Sequence, residues 1–192
     1  MAEINQSLDV IVKPVDLSKA QNVHTFYESL KNYELETWIN NAGFGNSASV
    51  GDQDINKIES MLHLNIEALT ILSSLFVRDY QNVEGTQIIN VSSAGGYIMI
   101  SDFVTYSATK FYVSAFTEGL AQKLNSKGSK MQAKVLAPAV TDTEFELRSL
   151  DIDEYKYEGK IPEFHTSKEM AGFMLDLYDS SKTVGIVNES TF

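Results

Sequence analysis

Apolar positions in this chain fall into two kinds of run. Short apolar runs end in small or polar residues, and longer stretches repeat their apolar residues every three or four positions. The first kind reads as buried parallel strands and the second as amphipathic helices. Leu35–Ile39, Thr86–Val91, Met131–Leu136 and Thr183–Val187 are expected as strands, with Asp9–Asp16 as a further short strand leaving into a loop. One helix is expected from Asp16 or Ser18, either of which can serve as N-cap, to about Asn32, with Val23, Phe26, Tyr27 and Leu30 as its stripe. Others are expected at Asp54–Tyr80, at Val104–Leu124, and from an N-cap at Ser167 to Tyr178. Met1–Leu8 is polar and reads as the tail of a helix. Strand and helix alternate, which predicts an α/β fold with a mostly parallel sheet. No repeat, low-complexity tract or linker interrupts the pattern, so residues 1–192 are expected to form a single domain. Val140–Thr166 is the exception to short connections, and such segments are commonly lids or lack fixed structure.

The candidate chemistry sits where these runs end. Tyr106 and Lys110 are four apart in a helical stretch and so share a face. A free phenol has a pKa of about 10, and a nearby cation lowers it by roughly 1–3 units. A phenol tuned in this way can act as a general acid or base. Thirteen residues before Tyr106 lies Ser93, at the end of the run Gln87-Ile88-Ile89-Asn90-Val91-Ser92-Ser93-Ala94-Gly95. Asn40-Asn41-Ala42-Gly43 ends an earlier strand, and Asn65 stands in an otherwise apolar helical stretch. In open α/β sheets, ligands bind at the C-terminal ends of strands.

Asn40-Asn41-Ala42-Gly43, then Asn65, Ser93 and Tyr106-x-x-x-Lys110, in this order and spacing, resembles the short-chain dehydrogenase/reductase family from about Asp9 onward. The resemblance implies a Rossmann-type doubly wound parallel sheet with helices on both faces, and NAD or NADP as hydride carrier. It also implies interconversion of a carbonyl and a secondary alcohol. Tyr106 would be the acid/base, and Lys110 would lower its pKa and hold the nicotinamide ribose. Ser93, favoured over Ser92 by the spacing to Tyr106, would hold the substrate oxygen. Asn65 would support a helix distortion and a relay water, or simply cap a neighbouring turn. The resemblance places Asp16 and Leu17 at the adenine and Asn41, Ala42 and Gly43 against the cofactor. Val140 would offer its backbone to the carboxamide and Thr143 its hydroxyl. Asp16 can equally be a plain N-cap, and Gly43 the glycine of a tight turn. Ala139 follows Pro138 where the family usually has glycine.

One family feature has no counterpart here. Neither G-x-x-x-G-x-G nor G-x-G-x-x-G occurs in the sequence. The family's phosphate loop belongs to a βαβ unit of roughly 30–40 residues that precedes the segment beginning at Asp9. The chain is therefore expected to be a family domain without its N-terminal strand unit. The alternative is a non-catalytic fragment or pseudo-enzyme that keeps the fold for assembly and cannot bind cofactor tightly.

Composition narrows the partners. A net charge of −11 argues against nucleic acid. Cysteine is absent and His24, His63 and His165 are scattered, so no metal site is expected. There is no unbroken apolar run of membrane-spanning length, and the N-terminus does not read as a signal peptide, so no membrane partner and a cytoplasmic location are expected. The family resemblance implies a homodimer or homotetramer built on the two long helices, with Phe111, Val113 and Phe116 as spare apolar residues. Phe145, Leu147, Leu150, Tyr155, Tyr157 and Phe164 give Val140–Thr166 the surface of a lid over a small hydrophobic carbonyl compound. The acids of that segment would disfavour an anionic substrate.

Overall fold

The computed structural model describes residues 9–187, so the expected helix tail at Met1–Leu8 lies outside the described residues. The apolar runs with polar ends are strands: β1 (Thr37–Asn40), β2 (Gln87–Val91) and β3 (Gln132–Ala137). Two short strands, β4 (Thr141–Asp142) and β5 (His165–Thr166), pair in parallel with each other, and β6 (Val184–Ile186) follows. β1, β2, β3 and β6 form a four-stranded sheet in the order β1-β2-β3-β6, parallel throughout.

Alternation along the strands divides the core between the two faces of the sheet. On one face, Trp38, Ile88 and Ala133 pack with α1 (Ala20–Glu28), α3 (Leu69–Tyr80) and α4 (Val104–Ser126). On the other, Ile89 and Leu136 meet Met170 and Leu177 of α6 (Ser167–Asp179). The buried Lys134 also points to this second face, where its Nζ donates to the carbonyls of Leu177, Tyr178 and Ser180 at 2.6–2.9 Å. A strand lysine thus satisfies carbonyls that end a helix.

The expected Asp54–Tyr80 helix is continuous but not uniform. α2 (Ile55–Leu62), capped by the Asp54 side chain on Asn56 N–H, passes through a π-helical turn at His63–Ala68 into α3. At 26 residues and with an 18-residue window of mean hydropathy 1.4, Ile55–Tyr80 is long and apolar enough to cross a membrane. Here Met61, Leu69, Leu72 and Phe76 bury one face of it within the protein.

Several expectations are corrected. Asp9–Asp16 forms no strand. Val10, Ile11 and Val12 are exposed, because β-branched residues need a paired neighbour and no described strand lies beside them. α1 begins at Ala20, not at Asp16 or Ser18, and stops at Glu28. The Asp16 carboxylate instead accepts from Ser18 N–H and Oγ in the preceding turn. For α6 the N-cap is Thr166 rather than Ser167, because Thr166 and Glu169 bond each other's backbone in a capping box. Val113 is fully buried against the sheet side of α4, so it is not spare surface. The Val140–Thr166 connection carries β4, β5 and the short helix α5 (Phe145–Leu150).

Candidate active site

All the elements that carry the expected chemistry meet at the C-terminal edge of the parallel sheet. β2 ends at Val91, and the two serines after it face opposite ways. Ser92 is buried, donating to the Lys110 carbonyl at 2.9 Å and sharing a 2.8 Å bond with Ser114 Oγ. Ser93 is half-buried in the loop, and its Oγ accepts from Gly95 N–H at 3.1 Å, so its own proton is free for another acceptor. The structure thus separates a packing serine from one that can serve a ligand.

This loop reaches α4 through Gly96. A Cβ there would lie 2.3 Å from Ser92 Oγ and 2.7 Å from the Lys110 carbonyl oxygen. Only a glycine lets the loop seat Ser93 beside the first turns of α4. Nothing in the sequence pattern marked Gly96 apart from Gly95, since the requirement comes from a tertiary contact.

Tyr106 and Lys110 share the inner face of α4 and are 7 % and 6 % exposed. Burial pushes the Tyr106 phenol up to about 12; the Ser93 hydroxyl opposes this, while the Glu146 carboxylate adds to it. Burial alone pushes the Lys110 ammonium down to about 8. The Lys110 Nζ lies 5.7 Å from the Tyr106 ring centroid and donates to the Val91 carbonyl at 2.9 Å. The expected lowering of the phenol by Lys110 is therefore absent in this arrangement: the ammonium is turned to a strand carbonyl and desolvation dominates the phenol.

Asn65 sits in the π-helical turn and is buried. Its Nδ2 donates to the Phe44 carbonyl at 2.9 Å and to Thr109 Oγ1 at 3.1 Å, and its Oδ1 accepts from Phe44 N–H at 3.2 Å. One side chain thus clamps the loop after β1 to the helix of Tyr106 and Lys110. Gly43 lies in the same contact, where a Cβ would come within 3.1 Å of Asn65 Oδ1 and 3.5 Å of Lys110 Nζ. The turn after β1 needs a residue without a side chain because the site is directly behind it.

The other expected cofactor residues divide into two places. Leu17, Asn41 and Ala42 line a cleft of about 330 Å³ along the free edge of β1, with Trp38, Leu64 and Leu72 behind them. Asp16 is next to Leu17, but its carboxylate is taken up locally by Ser18 and Lys19. Val140 and Thr143 lie beyond β3. The Val140 carbonyl accepts from His165 N–H, and Thr143 Oγ1 accepts from Phe145 N–H at the start of α5. The alanine at 139 introduces no strain, since Asp151 is the one non-glycine with positive φ among the described residues. Among the described residues, no cluster of His, Asp and Glu suited to a metal occurs.

α5 covers the corner. The Phe145 ring packs on the Tyr106 ring with centroids 5.1 Å apart, and Tyr157 is buried with its hydroxyl donating to the Thr143 carbonyl at 3.1 Å.

A parallel sheet with helices on both faces, carrying a serine, a tyrosine and a lysine together at its C-terminal edge, defines a Rossmann-type α/β domain. The family model for short chain dehydrogenases matches residues 1–151, and the chain belongs to that family. The human dehydrogenase/reductase SDR family member 11 is 29 % identical over 147 residues, covering 73 % of this chain and 56 % of the relative. An uncharacterized oxidoreductase of Staphylococcus saprophyticus is 26 % identical over 137 residues, covering 70 % of this chain and 56 % of the relative. The chain spans little more than half the length of these curated relatives. A short-chain dehydrogenase from Sphingobium yanoikuyae, solved in complex with NADPH, superposes with a TM-score of 0.79 at 26 % identity, covering 90 % of this chain and 65 % of that one.

Proposed function

We propose that this chain carries the proton-handling part of an NAD(P)-dependent oxidoreductase that interconverts a carbonyl and a secondary alcohol. The observation that supports it most is the meeting of Ser93, Tyr106 and Lys110, with Asn65 locking the β1 loop to their helix. Ser93 Oγ, which accepts from Gly95 N–H with one of its lone pairs, donates its proton to the substrate oxygen and orients it. Tyr106 gives its phenolic proton to that oxygen in reduction and takes it back in oxidation. A phenol held high by burial is fully protonated at neutral pH, so the corner is set for reduction until a cation approaches. Lys110 is that cation: turned from the Val91 carbonyl, its Nζ can serve a ribose hydroxyl and lower the phenol together.

The residues fit the nicotinamide end of a dinucleotide. Gly43 leaves room beside Lys110, and the β1 cleft continues past Ala42, Asn41 and Leu17. When bound, the nicotinamide supplies or accepts hydride. These 192 residues hold no glycine-rich phosphate turn.

In this reading α5 closes over a small, largely apolar, uncharged carbonyl compound. The chain self-associates through the exposed stripe Ala108, Tyr112, Ala115 and Gly119 of α4, whose small residues allow close helix approach. The test is oxidation of NADH and of NADPH, each offered with a panel of small ketones and aldehydes. Carbonyl-dependent oxidation supports the reading. Its absence with every pair favours the alternative of a non-catalytic domain retained for assembly, for which the β1 edge, with no described strand on its outer side, speaks.

A further inference from the structure

α5 reaches the catalytic corner with one end and is fastened at the other. At its start, Phe145 lies on Tyr106. At its C-terminal end, Lys57 of α2 donates to the Arg148 carbonyl at 2.9 Å, the Ser149 carbonyl at 3.4 Å and Asp151 Oδ2 at 2.8 Å. The Lys57 side chain is 17 % exposed and that of Asp151 75 %, so the ion pair lies at the surface, and the more buried part of the hold is the bonding of Lys57 to the α5 carbonyls. It places a cation where the helix dipole and the last carbonyls are negative. Asp151 takes a left-handed conformation at φ 54° to turn the chain toward it.

Elsewhere the seat of α5 is imperfect. Ser149 Oγ, on α5 itself, and Asn46 Nδ2, in the loop after β1, are buried without a hydrogen-bond partner among the described residues. Gly45 fits only because it has no Cβ, which would lie 2.7 Å from Ser149 Oγ and 2.8 Å from Phe145 Cζ. Buried polar atoms left unpaired weaken the seat of the closed helix. Tyr106 is covered while α5 is down, and a substrate must reach Tyr106.

We propose that Lys57 is a positioning residue that latches α5 over Tyr106, setting how often the site opens and how firmly it closes on substrate. Lys57 lies outside the catalytic group and acts through α5. The catalytic consequence rests on the oxidoreductase reading; the latch itself does not.

The test is hydrogen exchange on the 192-residue chain, comparing wild type with Lys57→Met, which keeps the aliphatic stem and removes the donor. The reporters are the amides of Arg148, Asp151 and Ile152, which are bonded within α5 and its end. Their exchange should rise at least tenfold in Lys57→Met, while the β2 and β3 amides keep their protection. Lys57→Arg, which retains several donors, should restore most of it. Asp151→Asn, which leaves the two carbonyl acceptors in place, should give a smaller rise. Unchanged exchange in both Lys57→Met and Asp151→Asn would overturn the latch, as would a loss of protection spread equally over the sheet. With activity in hand, Lys57→Met should raise KM about tenfold and leave kcat within about twofold. A fall in kcat with KM unchanged would overturn the positioning role, even with the exchange result intact.

Discussion

The two ends of the sheet's functional edge differ sharply in how completely their groups are paired. At the Ser93–Tyr106–Lys110 corner, Ser92, Asn65 and Lys110 each have a hydrogen-bond partner, although the buried Ser107 Oγ beside Tyr106 has none among the described residues. Trp38 Nε1 donates to Asn40 Oδ1, Asn40 Nδ2 donates to Asn90 Oδ1, and Asn90 Nδ2 donates to Thr117 Oγ1, so a buried ladder ties β1, β2 and α4 together below the site. At the β1 edge, Ile39 is 46 % exposed, Val12 is 79 % exposed, and no described strand pairs with β1 on its outer side. Satisfied buried networks fix geometry, whereas open edges offer backbone groups to whatever strand arrives. The corner is held by these bonds, whereas β1 has a described strand on one side alone.

If the corner is fixed at a cost in stability, that cost should be visible in pH dependence. Lys110 is held down to about 8 from its ordinary 10.5. Between those values the unfolded chain binds more protons than the folded one, so this group makes stability rise with pH across the window. Below about 8 the penalty is constant. Over the whole window the gain is on the order of 3 kcal/mol. Denaturant unfolding from pH 7 to 10 should show wild type gaining on Lys110→Met as pH rises. Parallel curves would mean that Lys110 is not desolvated.

The next effect is steric. Gly96→Ala forces a methyl against the Lys110 backbone carbonyl, and overpacking of this kind costs about 1–3 kcal/mol. Thermal unfolding should show the loss, with Gly172→Ala in α6, where nothing lies within 4 Å, as the neutral or stabilising control. The smallest stability effect belongs to the edge. Ile39→Lys should change stability by no more than about 0.5 kcal/mol. Self-association through the α4 stripe, measured by sedimentation, should be unchanged in Ile39→Lys. A large destabilisation there would show that the edge is already covered.

The contrast also marks what the sequence could reveal. The continuous apolar run at Ile88 and Ile89 reads as a strand buried on both faces, because each residue's face is a local property. The motif residues were legible for the same reason, and Thr166-x-x-Glu169 was a readable capping box even though its start was placed one residue late. The Asp9–Asp16 strand failed because strand formation depends on a neighbour, which propensity cannot supply. The orientation of Lys110 toward Val91, the need for glycine at 96 and the reach of Lys57 to α5 all depend on tertiary approach. No spacing in the chain encodes them.

The central claim is that Tyr106 moves the proton. It is tested most directly by Tyr106→Phe, with turnover followed by nicotinamide absorbance and cofactor affinity titrated separately by fluorescence. Phe preserves the ring contact with Phe145 and removes the proton. The account predicts that turnover falls by at least about 10²–10⁴ while cofactor affinity stays within a few-fold of wild type. Turnover near the wild-type rate in Tyr106→Phe would contradict it.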